Sequence, residues 1–220
     1  CVPVHVEAPL PLPRAQASGP GCIAYQRVAR TSGGEETRVL VFGDPQVKSE
    51  QDLDYFRRDI VEPLRGRHRA QLGISLGDIV DDVPALLPAV RRETERLGVP
   101  WLHVPGNHDV DPDAQDDAGS LRSFRRGIGP DTMVRETALA NVVVLDDVIA
   151  LPGRKPAYIG GFRDDQFAQL EARLPALRKD RLLVVALHIP LFEEPVKDSF
   201  RDAELILKAY HPRKRGIQDL

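Results

Sequence analysis

The feature that most constrains this 220-residue chain is where its short apolar runs stop. Residues 38–43 (RVLVFG), 71–77 (QLGISLG) and 101–105 (WLHVP) read as buried strands, because each is short, apolar and bounded by breakers. Each gives way to a glycine and a polar cluster: Gly43-Asp44-Pro45-Gln46, Gly77-Asp78-Ile79-Val80-Asp81-Asp82 and Gly106-Asn107-His108-Asp109. Residues 181–187 (RLLVVAL) form a further buried strand that stops at His188-Ile189-Pro190. Between the runs, apolar residues recur at helical spacing. Ser49 and Asp52 form a capping box ahead of Leu53, Phe56, Ile60 and Leu64. Leu86, Leu87, Val90 and Leu97 mark a second helix. Phe167, Leu170, Leu174 and Leu177 mark a third, ended or kinked near Pro175. Residues 199–210 are also helix-like.

Strands alternating with amphipathic helices predict an α/β domain whose strands are buried on both faces. Residues 141–148 and 157–162 read as two more strands with no obvious helix between them, so the sheet is not expected to be purely parallel. The length suits one domain. Residues 1–37 hold Pro3, Pro9, Pro11, Pro13 and Pro20 without sustained periodicity. They read as a Pro-rich arm or linker, with a short strand at 2–6, and 38–220 as the domain proper.

Composition excludes several classes. With 30 Lys+Arg against 33 Asp+Glu, the chain lacks the strongly basic balance of a dedicated nucleic-acid binder. No run approaches the ~18 apolar residues of a membrane span. Two cysteines make neither a disulfide scaffold nor a four-thiolate zinc site. Cys1 and Cys22 pair if the compartment is oxidising, and are otherwise unrelated thiols. A start at Cys1 is what lipoprotein-type processing leaves, which gives an expectation of a lipid anchor through Cys1 and an extracytoplasmic location. Trimming to an ordered core, with a cytoplasmic location, is the alternative.

In open α/β sheets, ligands bind outside the carboxyl ends of the strands. Four strands therefore deliver Asp44, Gln46, Asp78, Asn107, His108 and His188 to one edge. Carboxylate, amide oxygen and imidazole suit hard and borderline divalent metals, and no thiolate is offered. A shared carboxylate beside an amide ligand suits two closely spaced metals clamping an in-line displacement at phosphorus.

This series resembles the calcineurin-like metallophosphoesterase superfamily over about residues 38–190, most specifically in Gly106-Asn107-His108-Asp109 and its spacing from Gly77-Asp78. The resemblance implies a β-sandwich of mixed sheets flanked by helices, with a two-metal site at one sheet edge. It implies that Asp44 binds the first metal, that Asp78 bridges both, and that Asn107 and His188 bind the second. His108 would not be a ligand. It would stabilise the transition state or protonate the leaving oxygen, with Asp81 orienting its ring. The implied reaction is hydrolysis of a phosphate ester, on a phosphorylated small molecule or a phosphoprotein, by a water activated by two divalent ions. Mn, Fe and Zn are the candidates.

Two departures from the family pattern stand out. Gln46 occupies the first-motif position where most members have His, and would add a neutral amide oxygen to the first metal. After His188 there is no Gly-His-x-His; the only later histidine is His211, in Tyr210-His211-Pro212-Arg213. The expectation is a domain incomplete at its C-terminal part. The alternative is a degenerate relative, a non-catalytic metal-binding or interaction module. Other features carry less. Asp109, Asp111 and Asp113 mimic the start of a calcium loop but lack its glycine and its final glutamate. His103 lies inside a strand and reads as structural. Ser120, Ser123 and Ser199 lie in no nucleophile context. Arg213-Lys214-Arg215 reads as a solvated terminus, and no P-loop is present.

Overall fold

The computed structural model describes residues 24–27, 37–191, 205–206 and 209–210. The expected strand at 2–6, Cys1, Cys22, Ser199, His211 and the basic run at 213–215 lie outside them.

Ala24–Arg27, within the segment read as an arm, forms strand β1. Each run that stops at a polar cluster is a strand: β2 is Val39–Phe42, β3 is Leu72–Ser75 and β4 is Trp101–His103. Helix α1, Glu50–Phe56, begins where the capping box predicts. Ser49 Oγ accepts from the Asp52 backbone N–H at 3.1 Å and donates to the Asp52 carboxylate at 2.7 Å. The helix runs on through a π-helical turn at Arg57–Val61 into α2, Glu62–Leu64. A 3₁₀ turn at Pro84–Leu86 leads into α3, Leu87–Glu95. Two short helices follow, α4 (Asp117–Ser120) and α5 (Arg122–Gly127), and then β5, Met133–Glu136; none of these three was read from the sequence. The chain continues through β6 (Ala140–Val144), β7 (Val148–Ala150) and β8 (Tyr158–Gly160). Helix α6, Asp164–Arg173, gives way to a 3₁₀ turn at Leu174–Ala176 around Pro175, and β9 is Leu182–Ala186. Residues 205–206 and 209–210 are helical, as the pattern at 199–210 predicts.

Strands β2, β3 and β4 form a parallel sheet in that order. A second sheet has the order β1-β5-β6-β9, antiparallel only between β5 and β6, and β7 and β8 form an antiparallel pair. The mixed pairing expected around 141–162 is therefore present. The two larger sheets face each other. Leu72, Ile74, Leu102 and Val104 from one meet Val142, Val144 and Ala186 from the other. The outer face of the first sheet packs Leu40, Phe42 and Trp101 against Leu53, Phe56, Leu87, Val90 and Phe124 of the helices. The outer face of the second packs Val134, Val143 and Leu145 against Leu170 and Leu174, with Ile206 and Tyr210. The result is a helix–sheet–sheet–helix sandwich. Fully burying each such Val, Leu or Ile side chain is worth roughly 1.5–3 kcal/mol. A charge at Val144, wholly buried between the sheets, would have no partner within reach of its position in the apolar layer.

Candidate metal centre

The site is built first from backbone. Past the ends of β2 and β3 the chain stays paired: Asp44 N–H donates to Gly77 O (3.0 Å), Gln46 N–H to Asp78 O (3.0 Å) and Val47 N–H to Ile79 O (3.2 Å). Backbone groups thus satisfy one another, and the side chains are left to point outward. The route is strained. Asp44, Gln46, Asp78 and Asp82 all have positive φ, at 55°, 45°, 48° and 59°. Such conformations cost on the order of 1–3 kcal/mol each and cluster at functional sites.

Two glycines make the convergence possible. A Cβ on Gly106 would lie 2.2 Å from both the backbone nitrogen and Oδ1 of Asp78. Gly77 has φ +96°, and a Cβ there would lie 2.7 Å from His188 Nδ1. Only a bare backbone lets the loops after β3, β4 and β9 meet.

At the meeting point, one donor atom each from Asp44, Asp78 and His188 lie within 4.8 Å of one another. His188 Nδ1 is 2.8 Å from Leu76 O, a carbonyl that can only accept, so in the neutral ring Nδ1 carries the proton. That leaves Nε2 as a lone pair, 3.2 Å from Asn107 Oδ1 and 3.4 Å from Asp78 Oδ1. In that tautomer two acceptor oxygens face the Nε2 lone pair. Carboxylate, amide oxygen and imidazole nitrogen so arranged fit a divalent cation. Gln46 also reaches the centre, but with its amide nitrogen 3.2 Å from Asp78 Oδ2, so its oxygen does not face the carboxylates in this rotamer.

His108 lies beside this group. Its backbone N–H donates to Asp78 Oδ1 at 3.0 Å, which fixes that carboxylate. Its ring Nδ1 is 3.0 Å from Asp82 Oδ1 and 3.5 Å from Asp81 Oδ1. The hydrogen bond expected from Asp81 is thus made by its neighbour Asp82, whose left-handed backbone turns it to the ring. Asp81 instead also faces Lys48, whose Nζ is 3.3 Å from its Oδ2. Burial would lower the His108 pKa, but the carboxylates of Asp78, Asp82 and Asp81 outweigh it and the net shift is upward.

Two carboxylates that sequence reasoning missed hold the loops. Asp109 is fully buried; its oxygens accept from Val80 N–H (2.9 Å) and Gly106 N–H (2.8 Å). Burial pushes its pKa up to about 7 against those amides. Committed to backbone, it is no calcium-loop ligand. Asp147 does the same for the other half. Its Oδ1 accepts from His188 N–H (3.1 Å) and its Oδ2 from Ile189 N–H (2.9 Å), and burial pushes it up to about 6. His103, as read, is structural. It is buried and stacked near Trp101, and burial pushes its pKa down to about 3.

No helix among the described residues is long and apolar enough to cross a membrane. The fold is shared with a crystal structure of a dimetal phosphatase from Danio rerio, at a TM-score of 0.53 and 19% identity over 79% of this chain and 77% of that one. No curated protein sequence matches it. Residues 37–213 match the family described as calcineurin-like phosphoesterase, and the chain belongs to that family.

Proposed function

We propose that this chain hydrolyses phosphate esters at a dinuclear centre, with Asp44, Gln46 and Asp78 holding one divalent ion and Asp78, Asn107 and His188 the other. The observation that carries the reading is the convergence of Asp78 Oδ1 and Asn107 Oδ1 on His188 Nε2, at 3.4 Å and 3.2 Å. When bound, the ions supply Lewis-acid charge at a phosphoryl oxygen and acidify the attacking water.

The chain's own residues do the rest. Asp78, held by the His108 backbone N–H, would be shared by both ions. His108 donates Nδ1–H to Asp82, which leaves Nε2 as the ring atom directed to substrate. The surrounding carboxylates favour its protonated form, so Nε2–H gives its proton to the leaving oxygen. Asp82 is the nearer orienter and Asp81 the outer one. Substrates are phosphorylated small molecules or phosphoproteins, and Mn, Fe or Zn are the metals.

The test combines metal analysis with hydrolysis of an aryl phosphate, and of its diester in parallel, by the full chain supplied with each metal. Asp78→Asn and His108→Ala are each expected to lower turnover by at least about 10²-fold, with metal content falling only in Asp78→Asn. Asp82→Asn should cost more turnover than Asp81→Asn. Equal metal loss in the Asp78 and His108 variants would remove the role given to His108. Bound metal without turnover would favour the non-catalytic module.

A further inference from the structure

Strand β5 carries a cation whose charge nothing near it balances. Val134 packs in the outer cluster of the second sheet and Met133 in the layer between the sheets. Strand alternation therefore sends Arg135 into that inner layer, beside its register partner Val142. Arg135 is only 5% exposed. Among the described residues its side chain makes no hydrogen bond and no ion pair, and its Nε is sealed from solvent without a partner. We infer that Arg135 anchors an anion site at the margin of the inter-sheet layer, and that the ligand is a small oxyanion taken end-on, through two of its oxygens, by the two Nη groups.

Charge is the first argument. A guanidinium stays protonated in proteins, so burial does not remove its charge. Burial alone lowers the pKa of Arg135, and no carboxylate among the described residues acts against it. The next residue, Glu136, is turned by alternation to the other face of β5, where it pairs with Arg181 at 3.1 Å. On the inner face the neighbours of Arg135 are apolar: Val142, Val144 and Ala186 are all buried there. A buried ion left without a counter-charge is strongly destabilising, and an anion from solution removes that penalty.

Access is the second. The first sheet has three strands and the second has four. Asp44 follows β2 and His188 follows β9, and their donor atoms come within 4.8 Å, so those two edges share a side. Counted across from there, β4 stands opposite β5, and β1 has no strand facing it. Arg135 thus lies at the open margin of the layer. Its Nη groups are not sealed as Nε is, and so slight an exposure admits only a small ligand. Two oxygens of an oxyanion match the two Nη donors, a pairing that chloride cannot make. The site is separate from the metal centre, because Arg135 lies opposite Val142, within β6, whereas the loop holding His188 begins past the end of that strand.

The experiment follows thermal unfolding of the full chain while sodium sulfate or sodium acetate replaces sodium chloride at constant ionic strength. Anion concentrations stay below about 20 mM, where exclusion of sulfate from the protein surface is negligible. Wild type should show a saturable rise in Tm of about 4 °C at ten times the dissociation constant. Whichever of sulfate and acetate acts at the lower concentration tells a tetrahedral oxyanion from a carboxylate. Arg135→Met removes the charge and should abolish the rise. Arg135→Lys keeps the charge without the fork, and should respond to sulfate, acetate and chloride alike. Asp78→Asn, altered at the metal centre, should keep the rise. No saturable rise in wild type, or an equal rise in Arg135→Met, overturns the proposal. Loss of the rise in Asp78→Asn overturns it too, since the anion would then be at the metal centre. Should Arg135→Met fail to fold, Arg135→Lys decides: a preference for oxyanions over chloride as large as in wild type overturns the proposal.

Discussion

The two halves of the molecule support their share of the metal centre by different means. In residues 37–110 the loops that carry Asp44, Gln46, Asp78 and Asn107 are laced backbone to backbone, with Asp109 binding two amides and Asp78 a third. In residues 130–190, with Asp117 from the preceding helix α4, side chains hold one another. Arg163 Nη1 bridges Asp117 Oδ2 and Asp146 Oδ2, each at 3.0 Å. Gln166 Nε2 donates to Asp146 O at 2.7 Å, and Arg181 pairs with buried Glu136 at 3.1 Å. The whole arrangement presents one candidate ligand, His188, through Asp147. A ladder of backbone bonds survives most substitutions. A side-chain network depends on each member.

Removing a member of the network should therefore have the largest effect. Asp146 is almost wholly buried, and burial pushes its pKa up to about 7 despite the guanidinium beside it. Arg163→Met would strip both Asp146 and Asp117 of their shared cation. Breaking a buried pair costs about 3–5 kcal/mol; with Arg163 partly exposed, about 3 kcal/mol is expected in urea unfolding. A loss below about 1 kcal/mol would mean that the second half, like the first, is held by its backbone, and the contrast would fail.

The next effect is on metal, not on fold. Asp147→Asn keeps the shape of the side chain but replaces one accepting oxygen with a donor facing an N–H. His188 would lose its fixed position while its ring stays unchanged. Groups that orient a ligand typically account for about 10–100-fold in metal affinity or activity. The expected result is a metal dissociation constant weaker by that factor, with the unfolding midpoint little changed, and rescue absent in Asp147→Glu because the longer arm shifts both amides. Metal affinity equal to wild type would show that His188 is held by Leu76 O alone.

The same contrast explains what could be read from sequence. Strands β2, β3, β4 and β9, helices α1, α3 and α6, and the loops that bring the candidate ligands together were legible because apolar periodicity and glycine placement record backbone geometry. Strand β5 was not, because Arg135 and Glu136 are buried charges in a strand four residues long. Helices α4 and α5 bury only Leu121 and Phe124 among their large apolar neighbours, too few to set a period, although Asp116 caps the first by accepting from Gly119 N–H at 2.8 Å. The choice between Asp81 and Asp82 turned on a φ of 59°, which spacing does not encode. Asp147 gave no signal, since two adjacent acids after a strand are ordinary at a surface. Its role exists only where β9 returns beside β6.

The smallest effect separates two buried groups, one from each half, by pH. His103, in the first half, has a folded pKa near 3 against an ordinary 6.5, because it is buried and Arg91 opposes a second positive charge. Its folded value is depressed, so its contribution is fully present above pH 6.5 and is lost as acid protonates the unfolded chain first. Asp146, in the second half, is raised to about 7 from 3.8, so its penalty is relieved as pH falls through the same range. His103 and Asp146 thus answer acid with opposite signs, while Asp109 in the first half, also raised to about 7, acts in the same sense as Asp146. Between pH 6.5 and 5.5, His103 should account for a loss of about 1 kcal/mol, and His103→Phe should remove that slope while keeping the ring stack on Trp101. Asp146→Asn should instead steepen the loss by a similar amount, because it deletes the compensating group. Parallel unfolding curves at the two pH values measure both slopes. If His103→Phe leaves the slope unchanged, the ring is protonated in the folded protein, and the polar atoms under the first sheet are wetter than its packing indicates.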